Sequence, residues 1–401
     1  MSMKGWFGRV LAIAVTIAPP TAQAGQPRGY WRATADAVLS SRVTAVEQAP
    51  TQLAFVVDSV CTIGLGEHVT LVARPLAWRS RGSEWTGRLV QLGVRYERAA
   101  RLGLRVDAGF LAPPVGLAAL ELRADVNPTV RPALSDQVLP AVDPAGPALS
   151  LYALTYPLGV QAAVSGPVWD ARAALVDSSP LRTRMPFVSG GPARAPQWMA
   201  GGGVTPRAGL RVGGWWAHGP YARAEELGGT GRTDRRATLG GVETEYAFAH
   251  TRLAGEVIAA RLETSAGRRT ARGWMIEGTQ TVTPRWFVAG RWRSTEAPRG
   301  ATASTPADGS YAGSRACASE CVADAGKDAY AHETADPGPR LAISSSPTGS
   351  PRRHTVGEAT VGYRLSPALT VRAGLVGQRR YDERRWQPGG AISVVWSRRL
   401  F

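Results

Sequence analysis

Apolar side chains recur at every second position along most of this chain, and the 3.6-residue recurrence of an amphipathic helix is hard to find anywhere in it. In "LVQLGVRYER" (89–98), Val90, Leu92, Val94 and Tyr96 share one face, while Gln91, Gly93, Arg95 and Glu97 share the other. In "RLGLRVDAGF" (101–110), Leu102, Leu104, Val106, Ala108 and Phe110 alternate with Arg101, Gly103, Arg105, Asp107 and Gly109. Only Ala99 and Ala100 separate the two runs, the spacing of a tight hairpin. Side-chain direction reverses at each residue only in extended backbone, so an all-β fold is expected.

The connections sharpen that expectation. Very short turns, such as "GP" (166–167), "TPRAG" (205–209), "AH" (249–250), "TP" (283–284) and "SPA" (366–368), alternate with long polar segments near 111–157, 179–197, 218–236, 295–354 and 381–389. Short turns at one end and long loops at the other mark a transmembrane antiparallel up-and-down β-barrel, whose short turns face the periplasm. Counting back from Phe401 gives thirteen strands from 88 onward, and weaker candidates near 67–75, 53–62 and within 30–45 make about sixteen. Met1 to Ala24 has the layout of a secretory signal peptide: Lys4 and Arg9, the apolar "VLAIAVTIA", then a small-x-small "AQA". Residues 25–401 are then the barrel, with 295–354 a long external loop, and the expected location is the bacterial outer membrane.

A soluble sandwich also alternates, but it does not explain tryptophan near both ends of one apolar face. In "RWFVAGRWRS" (285–294) Trp286, Val288 and Trp292 share a face opposite Arg285, Arg291 and Arg293. Trp286, Trp292 and Trp396 are therefore expected in the aromatic girdles of a lipid-facing band. The same parity assigns Arg95, Arg101, Arg105, Arg211, Arg285, Arg291, Arg293, Arg364 and Arg372 to a water-filled lumen, against Glu97, Asp107, Glu243, Glu245 and Glu358. Formal charge is +16, falling to +14 without the signal, and Lys4 and Lys327 are the only lysines. A GC-rich genome and an anion-attracting channel both produce such an arginine excess, so placement has to arbitrate.

The stretch "LGLRVDAGFLAPPVGLAALELRADVNPTVRPALSDQVLP" followed by "YPLGVQAAVSGPVWDARAALVDSS" resembles the phosphate-selective porins O and P and their general-porin relatives. "VTPRAGLRVGGWWAHGPY" and "TVTPRWFVAGRWRS" resemble strand-turn-strand units of such barrels. The resemblance implies a 16-stranded, usually trimeric outer-membrane channel with one loop folded inward as a constriction. Segment 111–157 is the counterpart of that loop and brings Arg123 and Arg131 together with Glu121, Asp125, Asp136 and Asp143. Phosphate-selective members also use a lysine cluster, so phosphate specificity does not carry over to this nearly lysine-free chain. The terminal Phe401 resembles the recognition signal read by the barrel-assembly machinery, although it is out of phase with Ile392, Val394 and Trp396, which predicts either a bulge near 397–399 or a terminal residue turned out of the strand.

Passive diffusion of small hydrophilic solutes with an anion preference is the leading expectation, with outer-membrane lipid, small anions and a homotrimeric partner copy as the implied contacts. A non-conducting structural or adhesive barrel and an outer-membrane barrel enzyme are the competing ones. No cofactor, catalytic set, metal site or nucleic-acid role is expected. His68, His218, His250, His332 and His354 are scattered, with His218 in "WWAHGPY" expected at a solvated strand-loop junction. Cys317 and Cys321 in "ACASEC" are spaced for a local disulfide, leaving Cys61 free on a strand.

Overall fold

The computed structural model describes residues 32–399, apart from 48–50, 112–114, 118–122, 132–138, 141, 143–145, 148, 152–155, 183–195, 228–232, 299–352 and 382–384. Phe401, the Cys317 and Cys321 pair, the signal segment and nearly all of the 295–354 loop lie outside the described residues.

Among the described residues, sixteen strands form one closed antiparallel barrel: β1 Arg32–Val46, β2 Gln52–Gly64, β3 Val69–Ser80, β4 Thr86–Arg98, β5 Gly103–Phe110, β6 Leu158–Ser165, β7 Trp169–Val176, β8 Gln197–Arg207, β9 Leu210–Ala222, β10 Arg235–Phe248, β11 Thr251–Thr264, β12 Gly267–Thr281, β13 Trp286–Glu296, β14 Arg353–Ser366, β15 Leu369–Arg379 and β16 Gln387–Arg399. Every strand pairs with its sequence neighbour, and β16 closes on β1 from Asp36↔Arg399 to Val46↔Gly389. Closure removes both sheet edges, which hydrocarbon would not tolerate.

Turns at one end are short, the two-residue 208–209, 249–250 and 367–368 among them. Gly209 shows what such a turn demands. Its φ is +83°, and an added Cβ would meet the Ala247 carbonyl oxygen at 2.0 Å, so only glycine fits. The opposite, external end carries 111–157, 177–196, 223–234 and 297–352. Described residues of the 111–157 segment turn into the barrel. Leu111, Val115, Leu139, Leu149 and Leu151 pack against Val176, Met199, Trp215, Leu239, Ile258 and Met275 on the inner face of β7–β12, so one side of the lumen is filled by an apolar core.

The barrel's outer face is apolar, with Val160, Val242, Val257, Ile276 and Leu375 all more than half exposed. Two departures from simple parity have local causes. Val90, expected beside Leu92 and Val94 on the outer face, is buried with Trp78 and Tyr156. Arg74 pairs Gln91 but Pro75 pairs Leu89, so β4 carries one extra residue at Val90 and the inward parity changes from odd to even above it. Proline sits at this bulge because it has no N–H to give the ladder. In contrast, the expected bulge near 397–399 is absent: β1 and β16 pair without a register shift through Arg399.

Candidate functional site in the lumen

The lumen wall is built from inward-facing charges. Near the periplasmic mouth, the Asp107 carboxylate accepts bonds from Arg95 Nε and Arg105 Nε, each at 2.7 Å. Arg211 Nη1 donates to Glu243 Oε1 at 2.6 Å, its Nε and Nη2 chelate Asp170, and Arg172 Nη2 reaches Glu243 at 3.3 Å. Arg252 bridges Glu245 and Glu277, at 2.7 and 3.1 Å. On β2 and β3, Arg74 chelates Asp58 at 2.8 and 2.6 Å and donates to the Tyr156 hydroxyl at 2.5 Å. These groups neutralise one another locally, as like charges crowded in a confined lumen must.

The inserted segment is pinned to the wall at separate points. Glu256 on β11 accepts from Leu117 N at 3.2 Å and from Trp215 Nε1 at 3.1 Å. Glu358 on β14 accepts from the backbone N–H groups of Val130 and Arg131, at 2.7 and 3.1 Å. Arg291 on β13 donates to Asn127 Oδ1 at 2.8 Å, Thr129 Oγ1 at 2.7 Å and the Arg131 carbonyl at 3.0 Å, while its Nε pairs with Glu277 at 2.7 Å. Arg372 Nη1 donates to the Thr129 carbonyl at 3.3 Å. Backbone groups of 127–131, which would otherwise be orphaned inside the barrel, are thus satisfied by charged wall side chains.

Around this attachment, arginines outnumber acids among the described residues. Arg42 on β1, Ser393 on β16 and Arg372 on β15 lie side by side in register. Arg131 of the loop is within electrostatic reach of Arg42, Arg293 and Arg380, and Glu358 is an acid within reach of both Arg131 and Arg42. His354 sits among Arg293, Arg131 and Arg380. Ser393 Oγ, Arg372 Nε and His354 Nε2 are buried and have no hydrogen-bond partner among the described residues.

No protein-family model matches the sequence, and no curated protein matches it. Solved structures do resemble the fold. An anion-selective porin from Comamonas acidovorans aligns with a TM-score of 0.54 at 9% identity, covering 92% of this chain and 100% of that one. OmpF of Salmonella typhi, in complex with daunomycin, aligns at 0.53 and 10% identity over 92% and 97%. OmpT of Vibrio cholerae, an outer membrane protein lacking its loop L8, aligns at 0.51 and 9% identity over 92% and 99%. The chain shares the closed sixteen-stranded barrel fold of these outer-membrane proteins.

Of the arginines that sequence parity placed inside this barrel, Arg95, Arg105, Arg211, Arg291, Arg293 and Arg372 stand on inward positions of their strands. Arg364 also turns inward, over the Phe287 ring at 4.9 Å. Two do not line the lumen. Arg101 and Arg285 fall in the turns 99–102 and 282–285, because these turns take up residues assigned to strand ends, and Arg285 reaches the hydroxyl of Tyr363 at 3.4 Å. Arg123 is chelated by Asp125 within its own loop. Trp286 and Trp292 are exposed on the outer face, and Trp286 packs on Tyr363 with ring centroids 4.6 Å apart. Trp396 shares the outward parity of Ile392 and Val394. His218 is not a loop residue: β9 continues to Ala222, and the imidazole stacks on Trp216 and contacts Thr238 Oγ1 at 2.9 Å. The residues missed by sequence reading are Glu256, Glu277, Arg42, Arg74 and Arg172. Each stands on a period-two strand opposite lipid-facing neighbours such as Val257, Ile276 and Val43, so extending parity to every strand would have found them.

Proposed function

We propose that the protein is a porin through which small hydrophilic solutes diffuse passively, with a preference for anions, and that segment 111–157 is its constriction. The preference rests on one observation. Among the described residues, Arg95, Arg105, Arg172 and Arg211 share carboxylates elsewhere in the lumen, whereas Arg42, Arg131, Arg293, Arg372 and Arg380 gather at the attachment of the loop, where Glu358 and Asp125 are the acids within electrostatic reach. In a narrowed, low-dielectric passage an unbalanced positive cluster raises local anion concentration and deters cations. The anion-selective Comamonas barrel shares the fold and supports the reading at that level.

Kinship with the phosphate-selective porins O and P, homotrimeric assembly, Phe401 as an assembly signal, residues 1–24 as an export signal and a Cys317–Cys321 disulfide belong to the same proposal. They rest on the sequence segments that suggest them. Planar-bilayer recording tests the function: discrete open channels are expected, with a reversal potential in a KCl gradient of the sign set by chloride. A barrel that stays closed at all voltages is structural or adhesive instead. Hydrolysis of a peptide or ester substrate by the purified protein, abolished by a lumen or rim substitution, would make it an outer-membrane enzyme.

A further inference from the structure

The external end of β10–β14 carries charges on the wrong side for a channel lining. Arg236 on β10, Arg261 on β11, Arg268 and Arg272 on β12 are exposed at outward-facing positions, continuing the parity of the lipid-facing Val242, Val257, Trp274 and Ile276. Register brings them together: Arg261 pairs Thr270, which lies between Arg268 and Arg272, and Arg272 pairs Glu296. Arg353 and Glu296 form an exposed ion pair at 3.4 Å beside them. Glu263 accepts from the Arg236 backbone N–H at 3.2 Å. Arg261, Arg268 and Arg272 make no ion pair with any described residue. Among the described residues the patch therefore holds five arginines, at 236, 261, 268, 272 and 353, against two acids.

Depth gives the patch its meaning. Arg261 lies ten residues above Thr251 at the periplasmic end of β11. Ten residues span about 33 Å of strand, or about 25 Å of height at the usual tilt, which is the height of an apolar band. Trp274 and Trp292 lie just below the patch on the same outer face. The guanidinium groups thus emerge where hydrocarbon gives way to the headgroups of the outer leaflet. A general snorkelling rule does not account for them, because the corresponding outward positions on β1–β9 are largely apolar or small: Ala45, Leu53, Phe55, Ala77, Leu89, Leu158 and Trp198. Arg79 is an exception and is occupied by the Ser83 carbonyl.

We infer that the outward face of β10–β14 binds the phosphate groups of an anionic lipid in the outer leaflet. Unpaired, closely spaced guanidinium groups suit bidentate phosphate contacts, and adjacent Trp274 and Ile276 offer an apolar wall to the acyl chains. The inference is independent of whether the lumen conducts.

The test is native mass spectrometry of the folded full-length barrel with bisphosphorylated lipid A, and with the same glycolipid stripped of its phosphates. The wild type is expected to retain the phosphorylated form, and millimolar inorganic phosphate is not expected to displace it. Arg261→Gln/Arg268→Gln/Arg272→Gln is expected to weaken retention about a hundredfold, from the per-arginine attraction to an anionic surface. Arg81→Gln/Arg98→Gln/Arg207→Gln, which removes exposed arginines elsewhere, is expected to leave it intact. Equal retention by both triple variants, or equal retention of the two glycolipids, would overturn the inference. So would a change in oligomeric mass in the first variant with lipid retention unaltered, which would assign the patch to a second copy of the chain.

Discussion

Arg291 is the residue on which the interior most depends. It joins a strand carboxylate, Glu277, to three acceptors of the inserted segment, and both Arg291 and Glu277 are buried. Removing one partner of a buried pair leaves the other charge uncompensated, which costs about 3–5 kcal/mol, whereas removing both is far milder. Arg291→Met is therefore expected to lower the denaturant midpoint of unfolding sharply, and Arg291→Met/Glu277→Met to recover most of the loss, read by tryptophan fluorescence. At the external rim, Glu226 on the turn Ala224–Leu227 is chelated by Arg182 at 2.8 Å to each oxygen. Burial pushes its carboxyl upward, but the Arg182 guanidinium and the Arg223 N–H outweigh that and hold it below the ordinary carboxylate range. A depressed acid stabilises the folded state above the carboxylate's unfolded pKa, and that contribution disappears as pH falls through the lower folded value. Hydrogen exchange at 179–182 and 221–227 is expected to stay slow at neutral pH and to quicken as Glu226 protonates, below the ordinary carboxylate range; Glu226→Gln should exchange fast at both.

Single elements show where sequence parity holds and where it breaks. Strands β5, β10, β13 and β16 follow the inside-outside alternation legible in their residues, because lipid on one side and water on the other leave no freedom of face. Strand β4 breaks it at Val90, where one extra residue opposes Pro75. Proline within an alternating run was the available signal, yet which strand would bulge depends on pairing with Pro75 and not on β4 itself. Arg101 and Arg285 were misplaced for a related reason: turn lengths are fixed by backbone geometry that alternation does not encode. Spin labels report this directly. Labels at Leu92 and Val94 are expected to be accessible to oxygen dissolved in lipid, and a label at Val90 to be shielded. A lipid-accessible label at Val90 would mean that β4 pairs without the bulge.

For the molecule as a whole, the barrel was legible from turn lengths and alternation, but the charge balance of its lumen was not. Nine arginines against five acids looked like a uniform excess. In three dimensions Asp107 absorbs Arg95 and Arg105, and Asp170 with Glu243 absorbs Arg172 and Arg211, while among the described residues several of the other arginines gather where 127–131 meets the wall. Only cross-strand register and the path of an inserted segment decide that, and neither is written in local pattern. Selectivity is accordingly expected to depend on position as well as net charge. Arg42 makes no hydrogen bond among the described residues, so Arg42→Gln is expected to remove one charge with little effect on the fold. Arg105→Gln removes one charge from the Asp107 group near the periplasmic mouth, where the Arg105 side chain is 41% exposed and screened by water. In a KCl gradient, Arg42→Gln is expected to move the reversal potential toward the potassium limit several times further than Arg105→Gln, with unit conductance nearly unchanged in both. Equal displacements would mean that the lumen discriminates by total charge alone, and that the crowding of arginines at the constriction serves only to hold the loop.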